Sequence, residues 1–345
     1  MSFQNSETMG PTDFAKHISD FISKYLPNEN GASLNTITAY RDTFVLLLSF
    51  IEKHRKVKLE KLTLDYITKE TIVAFLDWIQ SERKCSNSTR NLRLAAIHSF
   101  YRYLQYQHLD NLYECQRILS IRSKKTAKDS IKYLSVEGIR LLLQQPDTTT
   151  RKGRRNLALL ALMYDTGARV QEIIDLTPSM LRLDKPATIK IIGKGNKARL
   201  VPMLDAQTVH LKNYLKEYEL DSPSAKLYPL FSNSKKEKLT RAGINYIIQK
   251  YVGMARKENK LMIPLKITCH SFRHTKAMHL LQAGVNLVYI RDILGHVSVQ
   301  TTEIYARADS KQKRIALEKA YEDVNPGEKA VWLNNENLIS WLKRF

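Results

Sequence analysis

Cysteine is scarce. Cys85, Cys115 and Cys269 are odd in number, widely spaced and show no metal-ligand doublet. That argues against a disulfide scaffold and for a reducing compartment. Long apolar runs are missing too: nothing approaches the ~20 residues of a membrane span, and residues 1–13 lack the basic start and apolar stretch of a secretory signal. The expectation is a soluble, cytoplasmic protein with no membrane partner. Internal repeats and low-complexity tracts are also absent. Acid is the remaining shortage, with 34 Asp and Glu against 55 Lys and Arg, a formal net charge of +21. A surface so basic binds polyanions through counterion release, without reading any base; a merely basic soluble protein is the plainer alternative.

What is present divides in two. A chain of 345 residues is long enough for about two domains at ~100–200 residues each, without disulfide or metal staples. Four apolar stripes of helical period occupy the first part: Phe14, Ile18, Phe21, Ile22 and Tyr25; Tyr40, Phe44, Leu47, Leu48 and Ile51; Ile72, Phe75, Leu76 and Ile79 after a start at Thr68; and Leu92, Ala96, Phe100, Tyr103 and Leu104. Such stripes are core faces. Between Arg117 and Lys132 lie six basic residues and one acid, which reads as a linker, either a solvated connector or a strap across phosphates. Beyond it the pattern is mixed helix with one hairpin, Thr188 to Gly193 and Ala198 to Pro202, around Gly193-Lys194-Gly195-Asn196. Helical patterns resume over 205–218 and 240–257. A final stripe, Leu338, Trp341, Leu342 and Phe345, needs a partner surface in cis or in trans.

Chemistry concentrates late in the chain. Arg169 follows small residues, Thr166-Gly167-Ala168, that let a bulky ligand approach the backbone, and Glu172 at i+3 can hold its guanidinium. Taken alone, a surface ion pair would explain it. His270 and Arg273 share a helical face and can bond two oxygens of one phosphate, while His274 and His279 read as bystanders. His270 and His274 have the i, i+4 spacing of a zinc pair, but the glutamate that should follow the first is missing. A short helix, Leu287 to Leu294, stops at Gly295 and presents His296. The segment after Ser298 can return Tyr305 towards that histidine. Seventeen tyrosines make any one a poor choice by count, and the link to His296 selects Tyr305.

Arg169 in Thr-Gly-Ala-Arg-Val-Gln-Glu, Lys194 in Gly-Lys-Gly-Asn-Lys-Ala-Arg, His270-x-x-Arg273, Leu-Gly-His296 and Tyr305 together resemble the tyrosine recombinases, the family of phage-type integrases and Xer-type recombinases. Residues 35–41 and 94–101 resemble its helical core-binding domain. The likeness spans roughly residues 12 to 325, and Phe272, where leucine is common, departs only within the apolar class. The fold implied is mainly α with a small antiparallel β-sheet (α+β), a core-binding domain and a catalytic domain clamping DNA. The boundaries expected are 1–11 for a flexible N-terminus, 12–116 for a SAM-like core-binding domain, 117–132 for the linker, 133–325 for the catalytic domain and 326–345 for a tail helix.

The function implied is site-specific recombination or integration, with a mobile-element transposase as one form. Tyr305 attacks the scissile phosphorus, giving a 3′-phosphotyrosine and a free 5′-hydroxyl, and four protomers exchange strands through a Holliday junction. Arg169 and Arg273 neutralise the phosphate, Lys194 protonates the leaving oxygen, His270 and His296 donate hydrogen bonds, and His270 can assist proton removal. Candidate DNA-facing residues are Arg41, Arg90, Arg93, Arg122, Lys124, Lys125, Lys128 and Arg241. The partners expected are double-stranded DNA with inverted-repeat half-sites, three further copies of the chain and accessory DNA-bending proteins; no metal or other cofactor is required. Two rivals stand beside this reading. One is relaxation of DNA by the same chemistry, as in type IB topoisomerases. The other is a non-catalytic helix-turn-helix regulator, which leaves Arg169, Lys194 and the His270/Arg273 pair unexplained.

Overall fold

The computed structural model describes residues 10–126, 131–308 and 343. It divides at Lys128/Asp129 into two compact units, mostly helical, with one small antiparallel sheet in the second. The terminal stripe expected at 338–345 and the side chain of Lys128 lie outside the described residues, as does most of the N-terminal segment.

In the first unit, α1 (Asp13–Asp20) runs on as a wider π-helical stretch, Phe21–Glu29, and is followed by α2 (Leu34–Arg55), α3 (Lys69–Ser81), α4 (Asn87–Gln107) and α5 (Leu112–Leu119). Ser33, Thr68 and Ser86 start α2, α3 and α4, each hydroxyl accepting from the N–H three residues on and satisfying a donor the helix cannot. The first three stripes turn largely inward as their period predicts, meeting at Phe21, Phe44, Phe75 and Phe100. The fourth is mis-phased at its start. Leu92 is 69% exposed, and Leu94 and Ile97 take the inner face instead: around the helix the buried arc runs from Tyr103 through Phe100 and Ile97 to Leu94, and Leu92 falls just past its Tyr103 edge. The linker also begins later than its charge suggests. Cys115, Ile118 and Ile121 recur every three residues and are buried in the same core, which keeps the chain helical to Leu119.

The second unit holds α6 (Val136–Leu143), α7 (Arg151–Thr166), α8 (Val170–Ile174), the sheet, α9 (Asp205–Glu217), α10 (Arg241–Glu258), α11 (Cys269–Gln282), α12 (Leu287–Leu294) and α13 (Gln300–Ala308). The strands β1 (Leu181–Arg182), β2 (Thr188–Ile192) and β3 (Ala198–Pro202) pair in order, with Ile189 opposite Val201 and Ile191 opposite Arg199. The β2–β3 turn carries Lys194 and needs φ of +74° at Gly195 and +58° at Asn196, conformations these two residue types tolerate best. A large core gathers Leu159, Leu160 and Met163 of α7, Ile189 and Ile191 of β2, Ile244 and Ile248 of α10 and Phe272 of α11. A satellite cluster of Ala277, Met278, Ile290, Leu294 and Tyr305 ties α11, α12 and α13 together. Helix α11 packs along α7, and that pairing brings an early and a late segment of this unit to one place.

Candidate active site

Helix α7 ends at Gly167, whose φ of +57° is left-handed. A Cβ there would lie 2.6 Å from Leu294 Cδ2, so both backbone conformation and space call for glycine. Arg169 then caps α8. Its backbone N–H donates to Glu172 Oε2 (2.8 Å) and its Nη1 to Glu172 Oε1 (2.8 Å). Burial pushes the Glu172 carboxyl up, but hydrogen bonds from Arg199 and from Arg169 outweigh it and hold the pKa below the usual carboxylate value. The pairing read from sequence spacing is therefore a half-buried clamp and not a surface ion pair.

Arg273, on the second turn of α11, is 1% exposed. Its Nη1 donates to Gly167 O (2.9 Å) and its Nη2 to Leu294 O (2.7 Å). Both carbonyls end helices, where the macrodipole is negative, so two helix termini stabilise one buried cation. Burial, and then the neighbouring Arg169, bring its pKa down to about 10, which still leaves it charged at neutral pH.

Gly295, at φ +66°, closes α12 and turns the chain into His296. His296 Nδ1 lies 2.8 Å from Thr302 Oγ1, and its ring is nearly parallel to that of Tyr305 at 6.3 Å. Tyr305 is 1% exposed, and its hydroxyl is 3.0 Å from His274 Nδ1. His274 in turn stands edge-to-face against His270, ring centres 4.5 Å apart. Burial and adjacent cations push the His270, His274 and His296 imidazoles below their ordinary pKa, the latter two to about 4, so all three are neutral at pH 7. Burial raises the Tyr305 hydroxyl pKa, opposed by Arg273 and Arg169.

Six candidates from the sequence, Arg169, Glu172, His270, Arg273, His296 and Tyr305, are thus brought into one neighbourhood. The Lys194 side chain lies outside the described residues, but the root of its turn is close by: a Cβ on Gly193 would be 3.2 Å from Glu172 Oε1. Spacing missed three residues. His274, read as a bystander, is the imidazole bonded to the tyrosine hydroxyl; Thr302 orients His296; and Arg199 joins Glu172 to the end of α12. His279 does stand apart, bonded to Tyr164 and to Leu134 O. Among the described residues no group of three or more His, Cys, Asp or Glu side chains could hold a metal ion, and no helix is long and apolar enough to cross a membrane.

The basic residues named as DNA-facing are placed unequally. Arg41, Arg122, Lys124, Lys125 and Arg241 are exposed. Arg90 is not: at 5% exposure its Nη1 donates to Arg122 O and to Asn91 Oδ1. It braces the segment after α5 against α4, with its Nη1 committed to protein acceptors. Arg93 is half-buried and braces α2, donating to Ala39 O and Thr43 Oγ1.

Residues 132–312 match the phage integrase family, and residues 19–108 match the phage integrase N-terminal SAM-like domain. The protein y4rC of Sinorhizobium fredii is 35% identical over 325 residues, covering 94% of this chain and 96% of its own. The tyrosine recombinase XerD of Listeria innocua is 31% identical over 311 residues (90% and 98%), and the tyrosine recombinase XerC of Rickettsia prowazekii 32% over 306 (86% and 94%). In fold the chain resembles the XerH site-specific recombinase bound to its difH substrate, with a TM-score of 0.63 and 23% identity over 88% of this chain and 85% of that one. It also resembles the Tn1549 transposon integrase in complex with transposon right-end DNA, with a TM-score of 0.66 and 17% identity over 88% and 98%.

Proposed function

The chain belongs to the phage integrase family of tyrosine recombinases, enzymes that cleave and rejoin DNA, and from that premise we propose that Tyr305 is its nucleophile and that Arg169, Lys194, His270, Arg273 and His296 complete the site. One observation carries the assignment: a buried tyrosine hydroxyl shares its neighbourhood with two guanidiniums whose positions are fixed by a carboxylate and by two helix-terminal carbonyls.

In the forward step Tyr305 Oη bonds to the scissile phosphorus and the bond to the 5′-oxygen breaks. Arg169 and Arg273 neutralise charge on the non-bridging oxygens, with no reorganisation because their partners already hold them. The tyrosine proton passes to a neutral imidazole. His274 is the one on the hydroxyl in this structure, with His270 next to it. Lys194, on the β2–β3 turn, gives a proton to the departing 5′-oxygen. His296, steadied by Thr302, donates to the phosphate. One phosphodiester replaces another, so a 5′-hydroxyl of a different strand reverses the step without ATP. With Tyr305 only 1% exposed, its hydroxyl must leave His274 as α13 shifts for DNA to be reached.

The substrate in this reading is duplex DNA carrying inverted half-sites around a short spacer, bound by four copies of the chain, in the cytoplasm where that DNA lies. The XerH and Tn1549 complexes, both with DNA, support the partner, and the net charge of +21 supports its affinity. The test is covalent trapping. Nicked duplexes tiled from the DNA flanking the gene are incubated with the full-length protein, then with SDS. An adduct on the 3′ end from the wild type and none from Tyr305→Phe, which still binds, is the expected result; no adduct from any duplex contradicts the assignment.

A further inference from the structure

Arg199 belongs to none of the groups assigned above, yet its guanidinium meets three of the segments that carry them. It projects from β3, the strand that leaves the Lys194 turn, and its side chain is only 11% exposed. Its Nη2 donates to Glu172 Oε2 at 2.7 Å; the other oxygen of that carboxylate holds Arg169. Its Nε donates to Ile293 O at 2.8 Å, in the last turn of α12 just before His296. The rest of the guanidinium covers Gly295, where an added Cβ would be 2.8 Å from Nη1, 2.9 Å from Cδ and 3.1 Å from Cζ.

We propose that Arg199 is a positioning residue for strand cleavage: a clasp that fixes the Lys194 turn, the Arg169–Glu172 clamp and the His296 turn relative to one another. The proposal rests on the recombinase reading of the site. A direct phosphate contact fits the geometry less well. Its Nη2 is paired with the Glu172 carboxylate, its Nε is on Ile293 O and its third nitrogen lies over Gly295, whereas Arg273 meets only neutral carbonyls and keeps its charge for a phosphate. The planar fork suits two acceptors at a fixed angle, which a lysine ammonium on a flexible stem does not reproduce. Without it the Ile293 carbonyl loses its donor, Glu172 keeps Arg169 alone, and the turns on either side are free to drift. A displacement of ~1 Å among reacting groups is enough to cost about 10²-fold in rate.

The experiment uses the full chain, with Arg199→Ala and Arg199→Lys measured beside the wild type on a nicked duplex that gives the adduct. Three quantities are followed: the single-turnover rate of adduct formation, the Kd for the same duplex across a salt series, and the thermal midpoint. Arg199→Ala should cleave roughly 10²-fold more slowly with Kd within about twofold and an unchanged salt slope, because no phosphate contact has gone. Guanidinium ion at non-denaturing concentration should recover part of that rate by filling the vacated site. Arg199→Lys should also be slow, and it carries the test if the alanine variant loses its folding transition. Cleavage by both variants within about threefold of wild type, too little for a misplaced site, overturns the clasp. So does a salt slope lowered by about one, which marks a lost phosphate contact. Failure of the wild type to form any adduct removes the recombinase reading itself, and the clasp with it; a normal wild-type adduct with indifferent Arg199 variants removes the clasp alone.

Discussion

At the scale of single residues, the site depends on side chains held by protein partners before any phosphate arrives. Thr302 is fully buried and touches no reacting atom in the scheme, yet its hydroxyl bonds His296 Nδ1. Thr302→Val keeps the shape and removes that bond, so single-turnover cleavage should fall by about tenfold, in the range of a lost orienting hydrogen bond, with DNA affinity unchanged. Protons make a second prediction. His274 and His296 have pKa values lowered to about 4 in the folded chain, against 6.5 when exposed. The unfolded chain therefore takes up protons that the folded one refuses, and the stability these two confer is complete above about pH 6.5 and is lost as pH falls from there towards 4. Asp165, raised to about 6 by burial, acts in the opposite direction over much of the same range. Comparing His274→Gln with wild type isolates the histidine: the thermal midpoint should drop less in the variant between pH 7 and pH 5, and parallel drops would contradict the shift. Much of this scale was legible in the sequence. Glu172 at i+3 announced its hold on Arg169, whereas Arg199 was passed over, although it stands two residues before the buried Val201 on the inward phase of a strand. His274 was not legible, because its bond to Tyr305 depends on how α13 returns over α11, a contact between distant segments that spacing does not encode.

At the scale of elements, the caps and breaks decide where each group points. Thr68, the β2–β3 hairpin and the stop at Gly295 follow from local chemistry, and all three are where turn and cap rules put them. Reading failed where tertiary burial overrode a local signal: charge suggested a linker from Arg117, but buried Ile118 and Ile121 extend the first unit, and the start of the α4 stripe was mis-phased. Gly295→Ala tests the α12 break. Its φ of +66° disfavours a side chain, and the new Cβ would press on Arg199. The variant should lose ~1–2 kcal/mol of stability from the left-handed backbone, read as a lower thermal midpoint, and cleave more slowly still than that loss explains. A variant as stable and active as wild type would show that the turn tolerates displacement.

At the scale of the whole molecule, two units with separate cores share a net charge of +21. Affinity for DNA should fall linearly on a log-log plot against salt with a slope of several units, about −0.9 per phosphate neutralised. A flat response would contradict an electrostatic grip. The general class was legible from that charge together with six residues in order, whereas the exposure of individual arginines was not: Arg90 looks like a phosphate ligand in the sequence and is a buried brace in the fold. The central claim is that one tyrosine of seventeen joins DNA to protein. Digestion of the trapped adduct and mass spectrometry of the nucleotide-bearing peptide tests it most directly. The account predicts a 3′-phosphate ester on Tyr305 and no adduct from Tyr305→Phe; a DNA link mapped to any other residue, or an adduct that survives that substitution, would contradict it.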